Sequence, residues 1–278
     1  MTNPFLRTRD AAESAADTGQ DRNRLWWEGL PMTYADWSAD KRMPETEEDF
    51  RRIEAFVMDE APWLMSWFAG LDLSGHRCLD LGSGSGIFSC LLARRNAAVT
   101  AMDLTEAGVG LTRRTARFFS ADIAVVRGDA ERNPFRDGAF DFVYSWGVLH
   151  HTSDMDKAVT EMGRAIAPGG GGLMMVYHRT SVVYYLHGLY WLIFRGKLFA
   201  GYNLERVQDF YTDGFYHRYL TRRGLGDKLA AAGLEVTRFT VTQYKKKILP
   251  FIPAALDRYL KSRFGMCLVA EFRKPPAS

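Results

Sequence analysis

One feature limits the folds open to this chain: between residues 77 and 177, short apolar segments alternate with segments of helical spacing. The strand-like segments are Arg77–Leu81, Ala97–Met102, Asp122–Val126, Phe140–Ser145 and Leu173–Tyr177. Buried strands separated by helices are typical of parallel βαβ units in a doubly wound sheet. A hydrophobic fraction of 47% over 278 residues is enough for the core of such a sheet. The sequence therefore predicts an α/β protein with helices on both faces of the sheet.

Local signals predict where the helices begin and end. Three helices should begin at side chains that can accept a hydrogen bond from the first turn. These caps are Thr105, Asp154 or Ser153, and Thr221. The run Ala167–Gly170 should end the second of these helices at about Ile166. Nearer the N-terminus, an amphipathic helix is predicted from Glu47 to Phe68. Two further strands are predicted at the C-terminal end, and we expect them to be neighbours: Glu235–Val241 and Met266–Phe272.

The most specific local signal is the segment Asp80–Gly86, DLGSGSG, between the first strand and the first helix. A phosphate-binding P-loop requires a lysine that this segment lacks, and a dinucleotide fingerprint requires glycine where Ile87 stands. The glycines leave room for a ligand to approach the backbone. A carboxylate at Asp80 would repel a pyrophosphate and attract a cation. The loop therefore favours S-adenosylmethionine, with Asp80 holding its ammonium group or a water beside it.

Two more carboxylates follow the next two strands. Asp103 ends the second strand and can accept hydrogen bonds from both ribose hydroxyls, as the acid of dinucleotide-binding folds does. Asp129 follows the third strand and is placed to accept from the exocyclic amine of adenine. Ligands of open α/β sheets bind at the carboxyl ends of the strands, where all three acids are expected.

These motifs together resemble those of the class I S-adenosylmethionine-dependent methyltransferases. The resemblance covers about residues 75–178 and is carried by CLDLGSGSG, AMDLT, GDAERNPF, FDFVYSWGVLHHT and IAPGGG. The LHH pattern is similar to that of small-molecule enzymes of the ubiquinone and menaquinone type. The resemblance implies a Rossmann-like sheet of seven strands with the last strand antiparallel, and S-adenosylhomocysteine as the product. The expected cofactor-binding residues are Asp80, Gly82, Ser83, Gly84, Gly86, Asp103, Leu104, Asp129, Ala130, Ser145 and Trp146.

Methyl transfer needs a positioned acceptor and often a base to remove one proton. The candidate bases are His150 and His151, which follow the fourth strand at the same edge of the sheet as the glycine loop. We expect only one of them to face the substrate. Tyr34 could offer a hydroxyl near the transferring methyl group. No group of residues has the spacing of metal ligands, so no metal is expected.

Two aromatic-rich regions outside the core are predicted to build the acceptor pocket. The first is an N-terminal lid over residues 25–72, and the second is an insert over residues 179–220 after the fifth strand. Arg179 could bind a substrate carboxylate, or it could form a surface salt bridge. Trp146 could wall the cofactor or pack in the core. The candidate substrate residues are Trp27, Tyr34, His178, Arg179, Tyr211 and His217.

The predicted organisation is a flexible N-terminus over residues 1–24 and a single domain over residues 25–278, in which residues 75–178 bind the cofactor and residues 221–278 supply the C-terminal strands. Three cysteines and no apolar leader indicate a cytoplasmic protein. A net charge of +3 gives no reason to expect a nucleic-acid partner. The apolar run Val182–Ala200 is predicted to be a partly buried helix or an interfacial one.

The acceptor predicted from these features is a small, moderately hydrophobic molecule, with O-methylation in specialised biosynthesis as the first reading. Two alternatives stay open. One is a membrane-associated quinone or lipid methyltransferase, with peripheral membrane contact through Val182–Ala200. The other is transfer to a peptide carboxylate.

Overall fold

The computed structural model describes residues 19–29, 44–211, 217–242 and 252–277. Within this part of the chain, eight strands form one sheet in the order β3-β2-β1-β4-β5-β8-β7, with the short β6 beside β5. Strands β1 to β5 are parallel, and β8 runs antiparallel to both of its neighbours. The predicted mixed sheet is thus confirmed, with seven strands in one row and β6 as an additional eighth. The strands are β1 Arg77–Leu81, β2 Ala98–Asp103, β3 Ile123–Arg127, β4 Phe140–Trp146, β5 Ile166–His178, β6 Tyr219–Leu220, β7 Glu235–Thr242 and β8 Cys267–Arg273.

Helices cover both faces of this sheet. Thr105, Asp154 and Thr221 cap their helices as predicted, each accepting from the backbone N–H three residues later. The α-helices of the described residues are α1 Gly19–Gly29, α2 Glu47–Glu60, α3 Pro62–Ala69, α4 Ile87–Ala93, α5 Glu106–Phe118, α6 Met155–Ala165, α7 Val182–Leu189, α8 Arg222–Ala231 and α9 Ala254–Phe264.

The core has two layers because side chains alternate across the sheet. Val143 faces one layer, where α6 and α8 contribute Met162 and Leu225. Tyr144 faces the other layer, where α2 to α5 pack. Each fully buried side chain of this size stabilises the fold by about 1.5–3 kcal/mol relative to an exposed one. The sheet is therefore a rigid platform whose carboxyl edge carries the loops described below.

Two elements differ from the sequence predictions. The helix expected over residues 47–68 is two helices, because Pro62 has no N–H to donate within a helix and instead begins α3. Strand β5 begins at Ile166, which pairs with Phe140, and pairing resumes at Gly171 opposite Phe142. The intervening residues 167–170 therefore form an irregularity inside the strand pairing, where a turn before the strand was expected.

Helix α1 includes residues 19–24, the last part of the N-terminus for which composition predicts flexibility. Its first turn is tied to the core through Gln20 and its last turn through Glu28. These contacts cross 109 and 79 positions of sequence, so local composition gives no sign of them.

The short strand β6 was not predicted, and it fastens the end of the insert to the sheet. Strand β4 ends at Trp146 opposite Met175, and β6 pairs with the last two residues of β5, Tyr177 and His178. The N–H of Arg218, just before β6, donates to the carbonyl of His150 at 3.0 Å. Residues 217–220 therefore lie at the carboxyl edge of the sheet.

Candidate active site

The glycine loop after β1 is held against β2 by backbone hydrogen bonds. The N–H groups of Gly82 and Ser83 donate to the carbonyl of Met102 at 2.8 and 3.0 Å. Gly82 has a φ of +85°, and a Cβ there would lie 2.2 Å from the Val148 side chain. Only glycine fits this position without moving its neighbours. The loop thus turns tightly and presents its backbone at the edge of the sheet.

The Asp103 carboxylate organises the adjacent end of β2. It accepts from the N–H of Gly84 at 2.9 Å, and from the N–H and hydroxyl of Thr105 at 3.0 and 2.7 Å. A Cβ on Gly108 would lie 2.5 Å from its carboxyl carbon, so this glycine in the first turn of α5 lets the helix approach the acid. Sequence reasoning did not select Gly108. Asp103 therefore links the glycine loop to the start of α5.

The Asp80 carboxyl is buried under the glycine loop and accepts a short hydrogen bond from the Ser89 hydroxyl. Burial raises its pKa to about 7, the Ser89 hydrogen bond opposes this shift, and the Asp103 charge adds to it. No cationic side chain is among the groups that shift this pKa. A carboxyl in this state would be stabilised in its ionised form by a bound cation.

The Asp129 carboxylate is engaged by the first turn of α1. The Gln20 side-chain amide donates to Asp129 Oδ1 at 2.7 Å, and the N–H of Glu131 donates to the same oxygen at 2.9 Å. The Gln20 amide oxygen accepts from the N–H of Ser153 at 3.2 Å. Gln20 therefore joins the loop after β3 to the loop after β4. Next to these acids, Ala130 is buried and Leu104 is half-buried.

The other end of α1 is bound to the N-terminus of α5. The Glu28 carboxylate accepts from the N–H groups of Glu106 and Ala107 at 3.1 and 2.8 Å. A negative charge there satisfies two backbone donors and complements the helix dipole. Helix α1 therefore crosses the carboxyl edge from Asp129 to the helix start that follows Asp103. Sequence reasoning missed both Gln20 and Glu28, because neither lies in a motif.

This contact predicts an effect on the mobility of α1. Replacing Glu28 by Gln keeps the shape but places an amide NH₂ against a helix N-terminus. We expect backbone amides of α1 to exchange hydrogen about 10-fold faster, since charge-assisted contacts of this kind contribute about 1–2 kcal/mol. Hydrogen exchange measured by mass spectrometry tests this. Glu48→Gln, which removes an exposed carboxylate paired with Arg52 on α2, is the matched control. Equal exchange in both variants would show that Glu28 does not hold α1.

The two histidines lie in a single helical turn, Leu149–His151, directly after β4. His150 is fully buried, and neither ring nitrogen has a hydrogen-bond partner among the described residues. Burial lowers its pKa well below 6.5, with further lowering from the nearby charges of His151, His217 and Arg218. Its ring is therefore neutral at pH 7 and keeps a donor and an acceptor unused. An unsatisfied buried polar group of this kind often marks a ligand or water position.

Aromatic rings surround these histidines. Tyr177 lies 4.2 Å from His150 and 5.3 Å from His151, measured between ring centroids. Trp27 of α1 meets the edge of His151 at 5.3 Å, and His217 lies 5.2 Å from Tyr219 of β6. The structure thus brings the predicted residues Trp27 and His217 to the same edge as the histidine pair. We refer to the rings of Trp27, His150, His151, Tyr177 and Tyr219 as the histidine cluster.

Two predicted cofactor residues are used in the core. The Trp146 ring stacks on Tyr144 at 6.2 Å and meets Trp63 of α3 at 5.7 Å, because residues 144 and 146 share one face of β4. Trp146 therefore packs between the sheet and the helices. The Ser145 hydroxyl donates to the carbonyl of Leu81 at 3.2 Å and joins two strands.

Two predicted substrate residues are also engaged elsewhere. Both ring nitrogens of His178 are used, by the carbonyl of Gly265 at 3.0 Å and the Thr180 hydroxyl at 2.7 Å. Burial lowers its pKa, as expected for a neutral structural histidine. Arg179 is paired with Glu205 at 3.3 Å in an exposed contact. The surface salt bridge, the alternative considered for this arginine, is the arrangement found.

Two further candidates are not described: Tyr34 lies outside the described residues, and so does the side chain of Tyr211. Over the described ranges, no group of three His, Cys, Asp or Glu side chains is arranged to hold a metal ion.

Comparison with known proteins agrees with this geometry. Residues 79–174, which contain the glycine loop, all three acids and the histidine pair, match the family model of the methyltransferase domain. The matched residues form a methyltransferase domain. The chain is similar to the magnesium protoporphyrin IX methyltransferase of Synechocystis, solved with bound S-adenosylhomocysteine, with a TM-score of 0.55 at 17% identity. That match covers 97% of this chain and 99% of that one and extends the similarity in fold beyond the domain.

Two curated relatives are similar over part of the sequence. One is the ubiquinone biosynthesis O-methyltransferase of Rhizobium etli, 28% identical over 165 residues, which are 59% of this chain and 62% of that protein. The other is the fatty-acid O-methyltransferase of Mycolicibacterium smegmatis, 38% identical over 104 residues, which are 37% of each protein. The matched region spans less than two thirds of either relative, so the resemblance covers the domain and not the whole of these proteins.

Proposed function

We propose that this protein transfers the methyl group of S-adenosylmethionine to an oxygen of a small, moderately hydrophobic acceptor. The observation that carries the proposal is the convergence of two sites at one sheet edge. The glycine loop with Asp80, Asp103 and Asp129 forms the first, and the histidine cluster forms the second. The relatives named as ubiquinone biosynthesis and fatty-acid O-methyltransferases support oxygen as the acceptor atom and a hydrophobic acceptor.

The residues of the loop edge fit the proposed cofactor. Asp80 is a buried carboxyl whose raised pKa leaves it ready for a cation, which suits the ammonium group. Asp103 already accepts from Gly84 and Thr105, and a carboxylate has further lone pairs for ribose hydroxyls. Asp129 would accept from the adenine amine next to its contact with Gln20. Gly82, Ser83, Gly84, Gly86, Leu104 and Ala130 complete this proposed site.

When bound, the cofactor supplies an electrophilic methyl group on a sulfonium. The acceptor oxygen would form a bond to that carbon as the carbon–sulfur bond breaks, and the hydroxyl proton would have to leave. In this chain the neutral imidazole of His150, or the ring of His151, would take that proton, and the aromatic rings of the cluster would orient the acceptor and exclude water. Tyr34 and Tyr211 remain proposed members of the acceptor site. The paired Arg179 gives no support to a peptide carboxylate as acceptor.

Isothermal titration calorimetry with S-adenosylmethionine and S-adenosylhomocysteine tests the cofactor. We expect both to bind at a single site with micromolar affinity, and no heat at millimolar ligand would contradict the proposal. Transfer of a labelled methyl group to a panel of phenols, fatty acids, quinols and amines then tests the acceptor. Label in a volatile ester or ether supports oxygen, and label only in amines contradicts it.

The raised pKa of Asp80 predicts a pH dependence of cofactor binding. In the free protein this carboxyl is half protonated near pH 7, and a bound ammonium group favours its ionised form. Binding below pH 7 should therefore release a proton, and affinity should rise by up to about 10-fold per pH unit until it levels above pH 7. Calorimetry at several pH values, in two buffers of different ionisation enthalpy, measures both effects. Asp80→Asn should remove the proton release, and proton release that persists in this variant would assign it to another group.

Other features of the organisation are part of the same proposal. We place the three free, buried cysteines, Cys78, Cys90 and Cys267, in a reducing cytoplasm. Burial raises the pKa of Cys78 and Cys90 to about 12, so both thiols stay protonated and unreactive. We further propose a single domain in which residues 25–72 and 179–220 close over the acceptor.

A further inference from the structure

The segment after β5 presents a row of large apolar side chains to solvent. It consists of α7, a π-helical turn over Tyr190–Phe194 and a second turn over Lys197–Ala200. Phe194 is 78% exposed and Phe199 is 91% exposed. We call its exposed apolar side chains the apolar strip: Tyr185, Leu186, Leu189, Tyr190, Ile193, Phe194, Leu198 and Phe199.

The apolar strip is unusual because it concentrates exposed apolar side chains in one short segment. Eleven large apolar side chains are exposed in the described residues. Eight of them lie between residues 185 and 199, and the other three lie on α9. Isolated exposed apolar residues are ordinary, but a contiguous patch of them marks an interaction site. None of the described helices is long and apolar enough to cross a bilayer. The strip is therefore suited to contact at a surface.

The charges within the segment indicate which kind of surface the apolar strip would contact. Val182–Ala200 contains no acidic residue, and its cations are Arg195 and Lys197. The Arg195 guanidinium lies 5.3 Å from the ring of Trp191, and the Lys197 ammonium lies 5.5 Å from the ring of Tyr202. Basic groups beside Trp and Tyr rings, next to exposed Phe, Leu and Ile, are the composition of interfacial segments that bind anionic lipid.

The same helix reaches the histidine cluster from its other face. Tyr184 of α7 is buried, with its ring 4.9 Å from that of Tyr219. Tyr219 lies 5.6 Å from Tyr177, which is the ring packed on His150. Helix α7 thus carries the first three residues of the apolar strip on its outer face and contacts the wall of the histidine cluster on its inner face. Two ring contacts, Tyr185 to Tyr184 at 5.4 Å and Tyr184 to Tyr219 at 4.9 Å, link the exposed surface to the histidine cluster.

We propose that the apolar strip docks the protein onto an anionic lipid bilayer, with Phe194 and Phe199 inserted and Arg195 and Lys197 at the headgroups. The docking itself does not depend on the reaction catalysed. Its consequence, that the acceptor reaches the histidine cluster from the bilayer, rests on the proposed function.

Vesicle flotation with the full chain tests the docking. We expect binding to vesicles of phosphatidylglycerol and phosphatidylcholine and much weaker binding to phosphatidylcholine alone. Phe194→Ser with Phe199→Ser should lower the partition coefficient by about 100-fold. Arg195→Glu with Lys197→Glu should lower it by at least about 10-fold on the anionic vesicles only. Failure of the native chain to float with anionic vesicles would overturn the proposal.

A charge-matched control separates docking from general electrostatics. Arg51→Glu with Arg52→Glu makes the same change in net charge on α2, and its vesicle binding should equal that of the native chain. Equal losses in both charge variants would overturn a role for the strip. Light scattering tests the rival occupant, a second copy of the chain. If the native chain is a dimer and the Phe194/Phe199 variant is a monomer, the strip is an interface between two copies and the docking proposal is overturned.

The same variants distinguish docking from catalysis. Phe194 and Phe199 are exposed, so their replacement should leave the thermal midpoint and the calorimetric affinity for S-adenosylmethionine unchanged. Lipid binding without methyl transfer would support docking and count against the proposed function. If the Phe variant loses its cooperative unfolding transition, the Arg195/Lys197 variant alone decides: flotation equal to that of the native chain overturns the proposal.

Discussion

Replacing Asp103 by Ala is expected to weaken S-adenosylmethionine binding by about 100-fold or more. Two losses combine in this change. The ribose would lose a charged acceptor for its hydroxyls, and hydrogen bonds to a charged group contribute about 1.5–3 kcal/mol each. The N–H groups of Gly84 and Thr105 would also lose their acceptor, so the glycine loop would no longer be tied to the end of β2.

Two comparisons separate these losses. Glu106→Ala removes a carboxylate three positions away that is exposed and pairs with Arg127, and it should leave affinity within about twofold. Asp103→Asn keeps one acceptor oxygen and should recover part of the loss. Calorimetry measures affinity, and hydrogen exchange at residues 82–86 measures the loop. Native affinity in Asp103→Ala would remove Asp103 from the proposed cofactor site.

The sheet was predictable because its signals are local and mutually consistent. Each core strand is an apolar run, and the caps at Thr105, Asp154 and Thr221 are single-residue signals with short reach. Parallel topology then follows from the alternation of strands and helices, which leaves few ways to connect them. The glycine loop and its acids were predictable for a related reason, since carboxyl ends of parallel strands must meet at one edge.

Side-chain direction was the harder part of the site. Trp146 follows Tyr144 by two positions, so the two share a face of β4, and period-two reasoning applied to this pair indicates core packing. Arg179 and His178 lie at the right edge, but their partners Glu205 and Gly265 are 26 and 87 positions away. Gln20 and Glu28 were missed for the same reason. Long-range partners leave no local pattern.

The histidine pair offers the second large effect. If His150 is the base, His150→Ala should lower turnover by about 100-fold or more while affinity for S-adenosylmethionine stays within about twofold. The reason is geometric. The His150 ring nitrogens are buried and unpaired among the described residues, whereas both ring nitrogens of His178 form hydrogen bonds, with Gly265 and Thr180. His76→Ala, which changes an exposed histidine bound to the Ser74 carbonyl, should leave turnover unchanged.

The pH profile identifies the residue, because burial places the pKa of His150 well below 6.5. A base must be deprotonated, so turnover that depends on His150 should persist as pH falls through 6.5 and decline only in more acidic solution.

The stability of the fold should depend on pH in the same direction. Below pH 6.5 the unfolded chain binds a proton at this position that the folded chain excludes. The free energy of unfolding should therefore decrease as the pH decreases, and His150→Phe should make this dependence on pH less steep. Turnover retained by His150→Ala and by His151→Ala would leave positioning alone as the source of catalysis, since neither imidazole would then be removing the proton.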